Sequence, residues 1–134
     1  MFEPIHQEVV FKADPERIYR ALTDAKQFSD FTGGAPTEIS PEIGGLFSCF
    51  GGMITGRQLE LIPQQRIVQA WRVKNWEPGV YSIVRFELKR EGSGTRLVFH
   101  HDGFPQENRA HLESGWKEND WEPLKNFLDK GAGL

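Results

Sequence analysis

Residues 108–130, NRAHLESGWKENDWEPLKNFLDK, decide how the rest of the chain must fold. The stretch contains no Val, Ile or Thr, and Gly131 follows it. Leu112, Trp116, Leu124, Phe127 and Leu128 fall on one broad face of a helix of about six turns. Two features break that pattern. Asn119 and Asp120 sit within or beside the apolar stripe, and Pro123 lies inside the helix. A proline there lacks an N–H and crowds the preceding turn, so a kink or a lost hydrogen bond is expected near Asn119. A helix with this much apolar surface must cover something.

The only large apolar surface left to cover lies upstream. From residue 37 to residue 102 the chain reads as strands and turns. Gly44-Gly45, Gly51-Gly52, Pro63-Gln64-Gln65, Glu77-Pro78-Gly79 and Glu91-Gly92-Ser93-Gly94 punctuate runs at 37–40, 46–50, 54–62, 66–74, 81–90 and 95–102. Short spacings of this kind predict an antiparallel meander. Period two places Val84, Phe86 and Leu88, with Leu97, Phe99 and His101, on one face, and Arg85, Glu87 and Arg96 on the other. Upstream, residues 3–12 read as a strand. Asp14-Pro15-Glu16 then starts a helix, with Asp as the cap and Pro at the first helical position. Thr23-Asp24 restarts a second short helix carrying Phe28 and Phe31, which Gly33 and Gly34 end. The expected fold is α+β: a curved, mostly antiparallel sheet of about six to seven strands around a long C-terminal helix. Two short helices follow strand one. A sheet that curves more than one helix can fill leaves a pocket between them.

Composition narrows the function. The chain has 134 residues, 38% hydrophobic and 26% charged, which fits a single domain spanning 1–134. The net charge is −3 and no Lys/Arg block stands out, which argues against duplex nucleic acid, where binding rests on phosphate neutralisation. No apolar run approaches the ~18 residues of a membrane span. The opening Met-Phe-Glu-Pro-Ile-His has neither the basic nor the apolar run of a secretory leader. One cysteine, Cys49, cannot form an intrachain disulfide. A cytoplasmic protein is expected, with Cys49 a small hydrophobe of the core.

The elements also carry a resemblance. The junction 13–24, ADPERIYRALTD, the hairpin residues Gly44-Gly45-Leu46-Phe47 and Ile54-Thr55-Gly56, and Pro63 through Trp71-Arg72 to Asn75-Trp76 are its first carriers. Thr95-Arg96-Leu97, His101-Asp102-Gly103, Gly115-Trp116 and Trp121-Glu122-Pro123-Leu124-Lys125 complete it. Together they resemble the helix-grip superfamily of START lipid-transfer domains and the birch-pollen allergen. More narrowly, they resemble the family related to the activator of the heat-shock protein 90 ATPase. The segment WRVKNW, 71–76, is most similar to the C-terminal domain of the eukaryotic activator. The resemblance implies the fold, and it implies contact with a heat-shock protein 90-type chaperone as one function. Asn119 and Asp120 depart from the family, whose activator-like members tend to be aromatic there. Smaller side chains at these positions imply a larger or more polar pocket.

Three functions are therefore expected in turn. The first is a binding module that holds a small apolar or amphipathic molecule between sheet and helix. Its candidate lining is Trp71, Val84, Phe86, Phe99, His101, Trp116, Asp120 and Leu124. The second is a co-chaperone-like domain, with Trp76 as an exposed loop contact. The third is a cyclase- or hydrolase-type enzyme whose only support is a His101–Asp120 pair able to move a proton. His100 and His101 face opposite sides of a strand and cannot readily share a metal. The paired glycines have no phosphate-loop spacing. No metal, cofactor or catalytic residue is expected.

Overall fold

The computed structural model describes residues 3–132. Its sheet has seven strands: β1 (Ile5–Phe11), β2 (Glu38–Ile39), β3 (Leu46–Cys49), β4 (Ile54–Ile62), β5 (Arg66–Val73), β6 (Ser82–Glu91) and β7 (Gly94–Asp102). They pair antiparallel in the spatial order β1-β7-β6-β5-β4-β3-β2. Strands two to seven thus form a meander, and β1 returns to close against β7. Helices α1 (Pro15–Thr23) and α2 (Ala25–Phe31) bridge β1 and β2. Asp14 and Asp24 cap them: each carboxylate accepts a backbone N–H, from Arg17 and from Gln27, at 3.0 Å.

Alternation sorts the two faces of the sheet. Val84 opposite His101, Phe86 opposite Phe99 and Leu88 opposite Leu97 are buried on the inner face. On the outer face, Arg85 Nη2 donates to His100 Nδ1 at 3.0 Å. His100 and His6 pair at 2.8 Å, and His6 reaches Glu8 at 2.9 Å. His100 and His101 therefore do face opposite ways. On β4, Gly56 lies opposite Trp71, and the Phe47 ring occupies the space its side chain would need.

The C-terminal segment differs from the single regular helix expected over 108–130. It runs as a 3-10 turn (Gln106–Asn108), α3 (Arg109–Gly115), a π-helical turn (Trp116–Trp121) and α4 (Glu122–Ala132). In the wide turn the Glu122 N–H donates to Lys117 O, five residues back. Pro123 cannot donate to a carbonyl four residues back, so an extra residue is accommodated just ahead of it. The result is a change of face. On a regular helix Trp116 and Trp121 would point about 140° apart. Here their rings stack, 5.6 Å between centroids and 20° between planes. Both are buried, as is Asp120 between them.

Several hydrogen bonds hold this segment to the sheet and to α1. Trp121 Nε1 donates to Gln7 Oε1 at 2.6 Å, and Gln7 Nε2 donates to Glu113 O at 2.9 Å. Arg17 Nη1 donates to Leu128 O at 3.2 Å. With the helix packed across the concave face of a seven-stranded sheet, the architecture is helix-grip.

Candidate ligand pocket

Aromatic packing fills one half of the space between helix and sheet. Trp116 lies 4.4 Å from Phe99 and 6.0 Å from Phe86, centroid to centroid. Phe99, Val84, His101 and Leu124 are completely buried here, and none lines an opening. This corrects the expectation that these four line a pocket. The indoles of Trp116 and Trp121 reach the β6–β7 surface because the π turn delivers both, and their rings pack on Phe86 and Phe99.

His101 is locked in this half. The Trp116 indole N–H can only donate, so His101 Nδ1 accepts it, at 3.0 Å. The other nitrogen then carries the proton and donates to Ser82 Oγ at 2.8 Å, and Ser82 donates to Trp71 O at 2.8 Å. Every donor in this chain has an acceptor only while the imidazole is neutral. Burial disfavours the charged ring in the same sense, pushing its pKa down to about 3. His101 makes no hydrogen bond to Asp120, so the expected proton-moving pair does not exist. The sequence placed both residues inward. It could not show that Trp116 would take the imidazole first.

The opening lies at the other half, towards β3, β4 and β5. An open pocket of about 450 Å³ runs from Phe50, Met53 and Ile54 across Trp71, Val73 and Trp76 to α3 and the π turn. Behind it is a smaller cavity of about 40 Å³, lined by Cys49, Gln69 and Phe86 among others. Trp71, Trp116 and Asp120 border both spaces. Phe86 borders the inner one alone. The exposed Asn119 and His111 stand at the mouth.

Trp76 corrects a second expectation. It is 8% exposed and packs edge-on against Trp71, with centroids 5.9 Å apart. The loop that carries it is tied down by Arg72, the outward neighbour of Trp71 on β5. Arg72 donates to Trp76 O at 2.8 Å and to Glu77 O at 3.1 Å. Held this way, the indole folds over β5 as a pocket wall and offers no free apolar patch.

Asp120 is the site's exceptional group. It is 7% exposed, and within the described residues its carboxyl makes no hydrogen bond or ion pair. Its oxygens are not sealed in protein, since among the described residues no enclosed side-chain polar atom lacks a partner. They open onto the pocket. Burial raises its pKa to about 8, so the acid is largely neutral at physiological pH. Cys49, buried nearby, is pushed up to about 12, first by burial and then by the Asp120 charge, which leaves its thiol unreactive. Residues missed by the sequence reading include Phe50, Met53, Ile54 and Val73. The Gly51-Gly52 turn beside them was the available signal, because it ends β3 and opens the sheet edge.

Comparison with known proteins fits this geometry. Residues 12–129 match the family model described as activator of Hsp90 ATPase homolog 1-like protein. The chain belongs to that family. It is 28% identical over 124 residues to the human activator of 90 kDa heat shock protein ATPase homolog 1, and 32% identical over 125 residues to a Dictyostelium discoideum activator. Each match covers 92% of this chain but only 36% and 32% of the relative, so the chain spans about a third of their length. The crystal structure of an HSP90 activator from Plasmodium falciparum superposes with a TM-score of 0.85 at 27% identity, covering 96% of both chains. The solution structure of an Aha1 dimer from Colwellia psychrerythraea shares the fold, with a TM-score of 0.78 at 21% identity over 92% of this chain and 94% of that one. No helix among the described residues is long and apolar enough to cross a membrane.

Proposed function

We propose that this family member is a binding module whose open pocket holds a small apolar or amphipathic molecule. The observation that supports this is the pocket itself. About 450 Å³ of space is walled by indole and aliphatic side chains and carries one buried carboxyl with no protein partner. Concave, mostly apolar sites with a few convergent polar groups are the usual form of small-molecule sites. Native mass spectrometry of protein purified from its own source tests it. A retained small molecule is expected in the native chain and absent from Asn119→Trp. That substitution places a large ring at the exposed mouth and leaves the core intact. Equal spectra, with no retained mass in either, would count against the reading.

A second reading rests on the relatives. They are activators of a heat shock protein ATPase and match nearly the whole of this chain. A co-chaperone role predicts that the purified chain raises the ATPase rate of a heat-shock protein 90-type chaperone. No change at saturating protein would remove it. Trp76 is then not the contact, because its ring is inside.

A further inference from the structure

We infer that the pocket selects an organic amine: a protonated ammonium group on an apolar or aromatic body, with the ammonium seated against Asp120. The inference rests on the binding-module reading and names the chemistry of its ligand.

Charge decides the class. No Lys or Arg lines the pocket or the cavity behind it. A carboxylate or phosphate entering here would shed its water and meet no cation, with an acid beside it. A cation meets two kinds of partner. Trp71, Trp76 and Trp116 line the pocket, and an indole ring attracts a cation through its quadrupole. Asp120 supplies a carboxyl that no protein group neutralises. It is delivered by the π turn and not by regular helical spacing, so the same irregularity that stacks Trp116 on Trp121 puts the acid at the pocket floor.

A neutral buried acid ionises when a cation arrives, because the opposite charge offsets the cost of burial. Binding therefore moves one proton from the Asp120 carboxyl to solvent, and the ammonium keeps its own. The other titratable groups lining the two spaces are Cys49, on β3, and His111, at the mouth on α3. The Cys49 thiol stays protonated throughout the relevant range. His111 is exposed and can be replaced without touching the floor.

Calorimetry with tryptamine, tryptophol and indolepropionate separates the possibilities, because the three share one ring and differ in head-group charge. Tryptamine is expected to bind at least about tenfold more tightly than either of the others. Its affinity should rise with pH up to about 8, with about one proton released in buffers of different ionisation enthalpy. Asp120→Asn should lower tryptamine binding to the tryptophol level, abolish the proton release and leave tryptophol within about twofold. His111→Gln should keep the pH dependence. If tryptophol or indolepropionate binds as tightly as tryptamine, or if Asp120→Asn keeps the preference, the amine inference fails and the pocket reading stands. If none of the three binds to folded protein, both fail.

Discussion

At the scale of single residues, two buried titratable groups pull stability in opposite directions. Asp120 has its pKa raised from 3.8 to about 8, so the folded state holds a proton that the unfolded chain releases. Its contribution is fully present below pH 3.8 and is lost as pH rises to about 8. His101 has its pKa lowered from 6.5 to about 3, so its contribution is present above 6.5 and is lost as pH falls towards 3. Each gives a slope of about 1.4 kcal/mol per pH unit at most, and the slopes cancel where the ranges overlap. Denaturant titrations of the wild type should show a near-level stretch from pH 3.8 to 6.5, then a decline to about 8. In Asp120→Asn the decline should vanish, with stability at neutral pH raised by about 1 kcal/mol or more. A variant that still declines there would show that Asp120 is ionised in the free protein. Trp116→Ala tests packing at the same scale. It removes a side chain only 5% exposed and leaves His101 Nδ1 without its donor, so a loss of about 3–5 kcal/mol is expected by chemical denaturation. A loss under about 1 kcal/mol would mean that the aromatic cluster repacks freely.

Among the elements, the π turn carries the consequence. One residue more than a regular helix needs is accommodated between α3 and α4, and the outward Lys117, Glu118 and Asn119 absorb it. Deleting Glu118 should return the segment to a regular helix. The flanking faces would keep their contacts, while Trp116 and Trp121 would swing apart and Asp120 would leave the pocket floor. The expected outcome is a folded protein about 2–4 kcal/mol less stable, with the exciton signal of the stacked indoles gone from its circular dichroism. Retention of that signal would show that Pro123 imposes the wide turn whatever the number of residues ahead of it. Pro123 and the odd polar pair 119–120 were visible in the sequence as a disturbance. Their resolution was not, because a proline can be answered by a kink, a missing hydrogen bond or a wide turn. Which of these occurs depends on what the displaced side chains meet across the gap.

In the whole molecule, the sheet grades from a strong centre to a weak edge. Strands β6 and β7 are the longest paired neighbours and bury Val84, Phe86, Leu97 and Phe99 under the aromatic cluster. β2 is a two-residue edge strand joined to β3 alone. Native-state hydrogen exchange should find the slowest amides in β6 and β7 and the fastest strand amides at Glu38 and Ile39. Uniform protection across the sheet would contradict this gradient. The pocket opens at the less constrained end, beside β3 and β4. Ligand binding should therefore raise protection there first.

The sequence by itself determined the order of the strands and of the first two helices, the inward and outward sets on β6 and β7, the Asp14 cap and the burial of Trp116. These follow from local chemistry: periodicity of two or 3.6, a side-chain oxygen at a cap, a proline at a first turn. It also carried the family resemblance, and with it the helix-grip architecture. Which inward residues would line empty space was decided only by the tertiary structure. Val84, Phe99, His101 and Leu124 carry the same inward signal as Trp71 and Asp120, yet they are sealed in the core. Inwardness is a property of a strand or helix face. A cavity is a property of the distance between two faces, and here the width of one helical turn sets that distance. Trp76 shows the same limit from the other side: its place in a turn suggested exposure, and the Arg72 hydrogen bonds that fold it inward join residues whose partnership no local pattern announces.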